Sequence, residues 1–161
     1  MDIQKDKYSD LMISIRKIVR AVNLESKRIE KNFGLSIPQL LTLKYLKQNT
    51  NFSSTMKLLK EYLSLNASTV SGIISRLESK GLIARLPSPN DKRSTPIILT
   101  SKGHDLVSKT DESLHERMSK RAKNIDSQVF DQILVSFETI IDLFDIENID
   151  ASPIISGLTE L

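Results

Sequence analysis

Residues 63–103 read LSLNASTVSGIISRLESKGLIARLPSPNDKRSTPIILTSKG, and the hydrophobic period changes halfway along them. Asn66 is a helix-capping residue type, and Val70, Ile73, Ile74 and Leu77 follow at the i, i+3, i+4, i+7 spacing of one helix face. Gly81 stops the helix. LIARLP then reads as a short strand, SPND supplies turn residues, and STPIILT reads as a return strand before Ser101 caps another helix. A two-stranded ribbon directly after a helix is a wing.

Working outward toward the amino terminus, Leu63 to Leu65 make a tight turn, and Ser53 or Ser54 can cap a short helix carrying Met56, Leu58, Leu59 and Tyr62. Ser36 with Pro38 starts a helix through Leu40, Leu41, Leu43 and Leu46. Before it, Leu11, Ile15, Ile18, Val22, Ile29 and Phe33 hold one face, widened by Met12 and Val19. This predicts a helix over about residues 6–32, ending at Gly34 and about 40 Å long, more than a small domain needs for its own core. The helix, short turn and helix before the ribbon form the arrangement that projects a second helix into a DNA groove.

On the carboxyl side, residues 101–123 read as one mostly polar helix with a thin seam of Val107, Leu114 and Met118. Asp126 caps a last long helix, on which Phe130, Ile133, Leu134, Phe137, Ile140, Ile141 and Phe144 make a wide apolar face. Ser152 and Pro153 can start one short helix in the tail.

With Val70, Ile73, Ile74 and Leu77 turned inward, Ser68, Gly72, Ser75, Arg76 and Ser79 face outward, flanked by Thr69 and Ser71. Such a face lets the helix approach a sugar-phosphate backbone closely, its hydroxyls donating to phosphate oxygens or base edges. The first-turn amides behind the Asn66 cap add an anion-binding end. A serine-rich face also serves simply to keep a surface helix soluble. On the ribbon, Arg85, Lys92 and Arg93 cluster, with Asp91 two residues before Arg93. An arginine at a hairpin tip can enter the narrow minor groove while a carboxylate fixes its guanidinium.

The charge distribution places the polyanion partner. The 161 residues carry a net charge of +3. Residues 1–53 hold 10 Lys/Arg against 5 Asp/Glu, residues 54–104 hold 8 against 3, and residues 105–161 hold 5 against 12. The front two thirds is basic and the rear acidic. There is no cysteine, which excludes disulfides, thiolate nucleophiles, zinc ribbons and thiol redox switches. No apolar stretch approaches the ~18 residues of a membrane span, so the expected setting is cytoplasmic, with no membrane partner.

The run from Leu63 to Gly103 resembles the recognition helix and wing of the MarR family of winged-helix transcriptional regulators, with RLPSPNDKR and LTSKG particularly close. The resemblance extends over roughly residues 8–147. It implies a mainly α fold with a small β-wing: a winged helix-turn-helix at residues 35–100, flanked by dimerisation helices at 1–34 and 101–161, the whole intertwined as one domain. It implies a homodimer that binds double-stranded DNA at a pseudo-palindromic operator, and repression relieved by a small aromatic or phenolic effector. Asn66, Ser68, Thr69, Ser71, Gly72, Ser75 and Arg76 fall on the recognition helix. Asp91, Lys92 and Arg93 fall on the wing. Gly72 and Ser75 depart from the family, in which longer polar and acidic residues are common there, and Pro96 interrupts the return strand, where its missing N–H confines it to an edge or an irregularity. These departures point to few bidentate base contacts and more reliance on phosphates and groove shape. Apolar stripes on the terminal helices, a liability if unpaired, are buried by two-fold pairing, which sets two lobes about 34 Å apart on DNA.

Two rival readings are weaker. His104 and His115 are eleven residues apart on one predicted helix, about 16 Å, too far to share a metal. Asp111, Glu112 and His115 make at most a weak surface site. With no phosphate-cradling loop, nucleophile elbow or HExxH, no catalytic residue, cofactor or metal ligand is assigned and an enzyme is not expected. The alternative is a winged-helix protein-interaction module or anti-repressor without specific DNA binding. A DNA mimic would present acid on the reading face, whereas residues 54–104 are basic.

Overall fold

The structure is a computed structural model that describes residues 3–86 and 95–149. Asp91, Lys92 and Arg93, the wing-tip candidates, lie outside those residues, as does the tail helix expected at Ser152 and Pro153. One compact unit ends at Thr110 and a second begins at Asp111.

In the first unit, α1 (Ile3–Phe33) is a 31-residue helix that ends where Gly34 adopts φ +64°. Helix α2 (Ile37–Gln48) starts behind Ser36, whose backbone N–H donates to Gln39 Oε1 at 3.0 Å, with Pro38 in the first turn. Helix α3 (Met56–Leu63) is capped by Thr55, whose hydroxyl oxygen accepts from the Leu58 amide at 3.3 Å. This corrects the assignment of that cap to Ser53 or Ser54. Those two residues form strand β1 (Ser53–Ser54) instead, following a 3-10 turn, Thr50–Phe52. Ser64 in the left-handed conformation turns the chain from α3 into α4 (Ala67–Ser79).

The wing is built on β2 (Ile83–Arg85) and β3 (Ile97–Leu99), antiparallel in the register Ile83↔Leu99 and Arg85↔Ile97. It is not a two-stranded ribbon. β1 pairs with the other edge of β3, Ser53↔Ile98 and Ser54↔Ile97, giving the order β1-β3-β2. A two-residue strand of serines has no apolar alternation, so periodicity could not reveal it. Pro96 stands just outside the central strand, and its carbonyl accepts from the Leu86 amide at 3.0 Å. Leu86 and Pro96 face each other in this register, so the ring removes the reciprocal donor and that pair keeps a single bond at the end of the ladder.

The core gathers Ile29 of α1, Leu40, Leu43 and Leu46 of α2, Leu59 of α3, all four apolar residues of α4, Ile83, Ile97 and Leu99 of the sheet, and Val107. Each such burial contributes about 1.5–3 kcal/mol before entropy is set against it. The outer half of α1 is different: Ile13, Ile18, Val19 and Leu24 are exposed.

Residues 101–123 are two helices, α5 (Ser101–Ser108) and α6 (Leu114–Ala122), and the cap of α5 is Thr100 rather than Ser101. The break follows from hydroxyls that compete with the helical ladder. Thr110 Oγ1 donates to the Val107 carbonyl at 2.8 Å. Ser113 opens α6 through a reciprocal capping box with Glu116, its amide donating to Glu116 Oε2 at 2.7 Å while its hydroxyl accepts from the Glu116 amide at 3.2 Å. His104 and His115 thus lie on different helices, and among the described residues no cluster of three metal-ligating side chains occurs. In the second unit, Asp126 caps α7 (Ser127–Leu143) by accepting from the Gln128 amide at 2.9 Å. Neither α6 nor α7 contains a buried residue.

Candidate nucleic-acid interface

Helix α4 sorts its residues as its spacing requires. Val70, Ile73, Ile74 and Leu77 are buried, and Ser68, Ser71, Ser75, Arg76 and Ser79 are exposed, with Thr69 and Gly72 half-buried between them. Asn66 acts first as a cap: its Oδ1 accepts from the Thr69 amide at 2.9 Å and from the Ser68 hydroxyl at 2.8 Å. The Ser79 hydroxyl is turned back to the Arg76 carbonyl at 2.9 Å. A Cβ placed on Gly72 would meet nothing within 4 Å, so packing does not demand glycine here. Its place on the outer face leaves the backbone open to a close approach. The Arg76 guanidinium forms no ion pair among the described residues and stands available to an anion.

The wing root joins this helix. Arg85 Nε lies 3.4 Å from Glu78 Oε2, both side chains partly exposed. Arg85 is therefore tied to α4 from β2, an arrangement that grouping it with Lys92 and Arg93 on the ribbon did not anticipate.

The LTSKG stretch gains a physical account residue by residue. Leu99 is a core residue. Thr100 caps α5 by accepting from the Gly103 amide at 3.1 Å, and its hydroxyl donates to the Gly81 carbonyl at 2.8 Å. The Lys102 ammonium donates to the Lys80 carbonyl at 2.8 Å. Gly103 admits no side chain, because a Cβ there would stand 2.1 Å from the Leu82 carbonyl oxygen and 2.8 Å from Leu99 Cδ1. The stretch thus clamps the exit of α4 to the sheet and to α5. The family resemblance singled out the motif, whereas these partners lie some twenty residues upstream and only the fold reveals them.

An exposed polar helix face on a helix-turn-helix, followed by a wing whose root is tied to that helix, defines a winged helix-turn-helix protein. Comparison with known proteins narrows the class. Residues 35–95 match the MarR family. The chain is 36% identical over 69 residues to the multiple antibiotic resistance protein MarR of Escherichia coli (strain K12), covering 38% of this chain and 46% of that protein. It is 30% identical over 78 residues to an HTH-type transcriptional repressor of Mycobacterium tuberculosis (strain ATCC 25618 / H37Rv), covering 48% of this chain and 55% of that one. The chain spans about half the length of the curated relatives it matches. Among solved structures, a MarR family transcriptional regulator from Streptomyces coelicolor in complex with DNA shares the fold, with a TM-score of 0.59 at 18% identity over 88% of each chain.

Over residues 35–95 the chain is thus similar to the MarR family, and among the relatives it resembles is one named a transcriptional repressor. Among the described residues, no helix is long and apolar enough to cross a membrane.

Proposed function

We propose that the protein is a sequence-specific DNA-binding transcriptional regulator, a cytoplasmic homodimer that represses from a pseudo-palindromic operator and is released by a small organic ligand. The observation that carries DNA binding is the outward face of α4: short hydroxyls, an open Gly72 and an Arg76 with no ion pair among the described residues, on the basic part of the chain. The relative named a transcriptional repressor supports the direction of regulation. The apolar residues of α7, every one of them accessible to solvent, and those of outer α1 support dimerisation, since such stripes are stable in water only when something covers them. The family resemblance supplies the ligand class.

On this reading Asn66, Ser68, Thr69, Ser71, Gly72, Ser75 and Arg76 meet the major groove, and Asp91, Lys92 and Arg93 meet the minor groove or its phosphates. The two arginines give the sharpest test. Replacing Arg76 or Arg93 by Ala weakens operator binding by about 1–3 kcal/mol if each enters a groove. Fluorescence anisotropy on a duplex from upstream of the protein's own coding sequence reads this, and unchanged affinity in both variants refutes the interface.

A further inference from the structure

The C-terminal end of α4 is held by contacts that the reading face does not use. Lys80, the residue that caps α4, sends its ammonium to the carbonyl of Gly34, where α1 ends. Lys102, in the first turn of α5, sends its own to the carbonyl of Lys80. Carbonyls at helix ends lack intrahelical donors and sit at the negative end of the dipole, so a lysine ammonium suits them. A strap results: α5 holds α4, and α4 holds α1, through backbone oxygens. Neither lysine has a carboxylate partner among the described residues.

The strap matters because of what the reading face lacks. A face of lysines and arginines could follow a misplaced groove by swinging long side chains. Ser68, Ser71, Gly72 and Ser75 reach too little distance to compensate, so the helix itself must be placed to within about 0.5 Å. We infer that Lys80 and Lys102 are positioning residues for DNA recognition, fixing the angle at which α4 enters the groove by fastening its last turn to the ends of α1 and α5. The inference rests on the reading of α4 as the DNA-binding helix.

Lys102→Met and Lys80→Met each cut the strap at a different point while keeping an aliphatic stem, and both are made in the full chain. Hydrogen exchange of the Lys80, Gly81 and Leu82 amides, which bond to the Arg76, Glu78 and Leu77 carbonyls, is expected to quicken about fivefold on loss of one such hydrogen bond, with exchange in α2 unchanged. Affinity for the upstream duplex falls by a similar factor, affinity for a scrambled duplex of equal length stays, and the dependence on salt is unaltered. Lys102→Arg, which keeps a donor, restores binding. Equal losses on both duplexes with a salt slope shallower by about one per lysine would make these residues phosphate contacts and overturn the positioning role. Unchanged exchange with unchanged discrimination overturns it too. A wild-type chain that does not distinguish the two duplexes refutes the DNA reading itself, while the exchange arm still decides whether the strap holds the helix end.

Discussion

Helices α4 and α7 carry the same apolar spacing and meet opposite fates. In α4, Val70, Ile73, Ile74 and Leu77 are each no more than 1% exposed. In α7, Phe130, Ile133, Leu134 and Phe137 repeat that spacing at 38%, 36%, 50% and 47% exposure. Periodicity reports that a helix has an apolar face, and says nothing about what covers it. In α4 the cover is the chain's own α2, α3 and sheet. In α7 no residue of the helix is buried, and the proposed cover is a second copy of the chain.

The strongest way to break this contrast is Phe137→Asp. If α7 is a dimer face, a carboxylate there gives a monomer by sedimentation, and the operator complex loses the avidity of two linked lobes, about 10²–10⁴-fold. A dimer that persists unchanged would place the interface elsewhere. Ile74→Ala probes the other side. In a site that is fully buried, the lost transfer energy and the cavity cost about 2–5 kcal/mol in denaturant unfolding. A loss below ~1 kcal/mol would mean that α4 is less firmly packed than its burial indicates. Gly103→Ala sharpens the comparison further. The new methyl would strike the Leu82 carbonyl, so a destabilisation of about 1–3 kcal/mol is expected even though the substitution adds a single carbon. Calorimetry checks it, and a neutral result would show that α5 can slide away from the sheet.

Much of the first unit was legible in the sequence because its signals are local. Asn66, Gly81 and the α4 spacing placed α4, Ser36 with Pro38 placed α2, and in the second unit Asp126 placed the start of α7. What escaped depended on distant partners or on residues without a pattern. β1 is two serines recognised as a strand only through Ile97 and Ile98. The division between α5 and α6 depends on hydroxyls at Thr110 and Ser113 that look equally at home on a polar helix face. At the interface, the residue types on α4 showed which side chains could face a partner. The braces behind them, Lys80 to Gly34, Lys102 to Lys80 and Glu78 to Arg85, had no sequence signal of their own because their spans run from 7 to 46 residues.

The most direct test of DNA reading is a salt titration. The protein is titrated against a labelled duplex from upstream of its own coding sequence, and against a scrambled duplex, at several salt concentrations. If α4 reads DNA, the protein binds the upstream duplex alone tightly, with two chains per duplex, and its affinity falls steeply on a log–log plot at about 0.9 per phosphate neutralised. Equal affinity for both duplexes with a flat response to salt would contradict it.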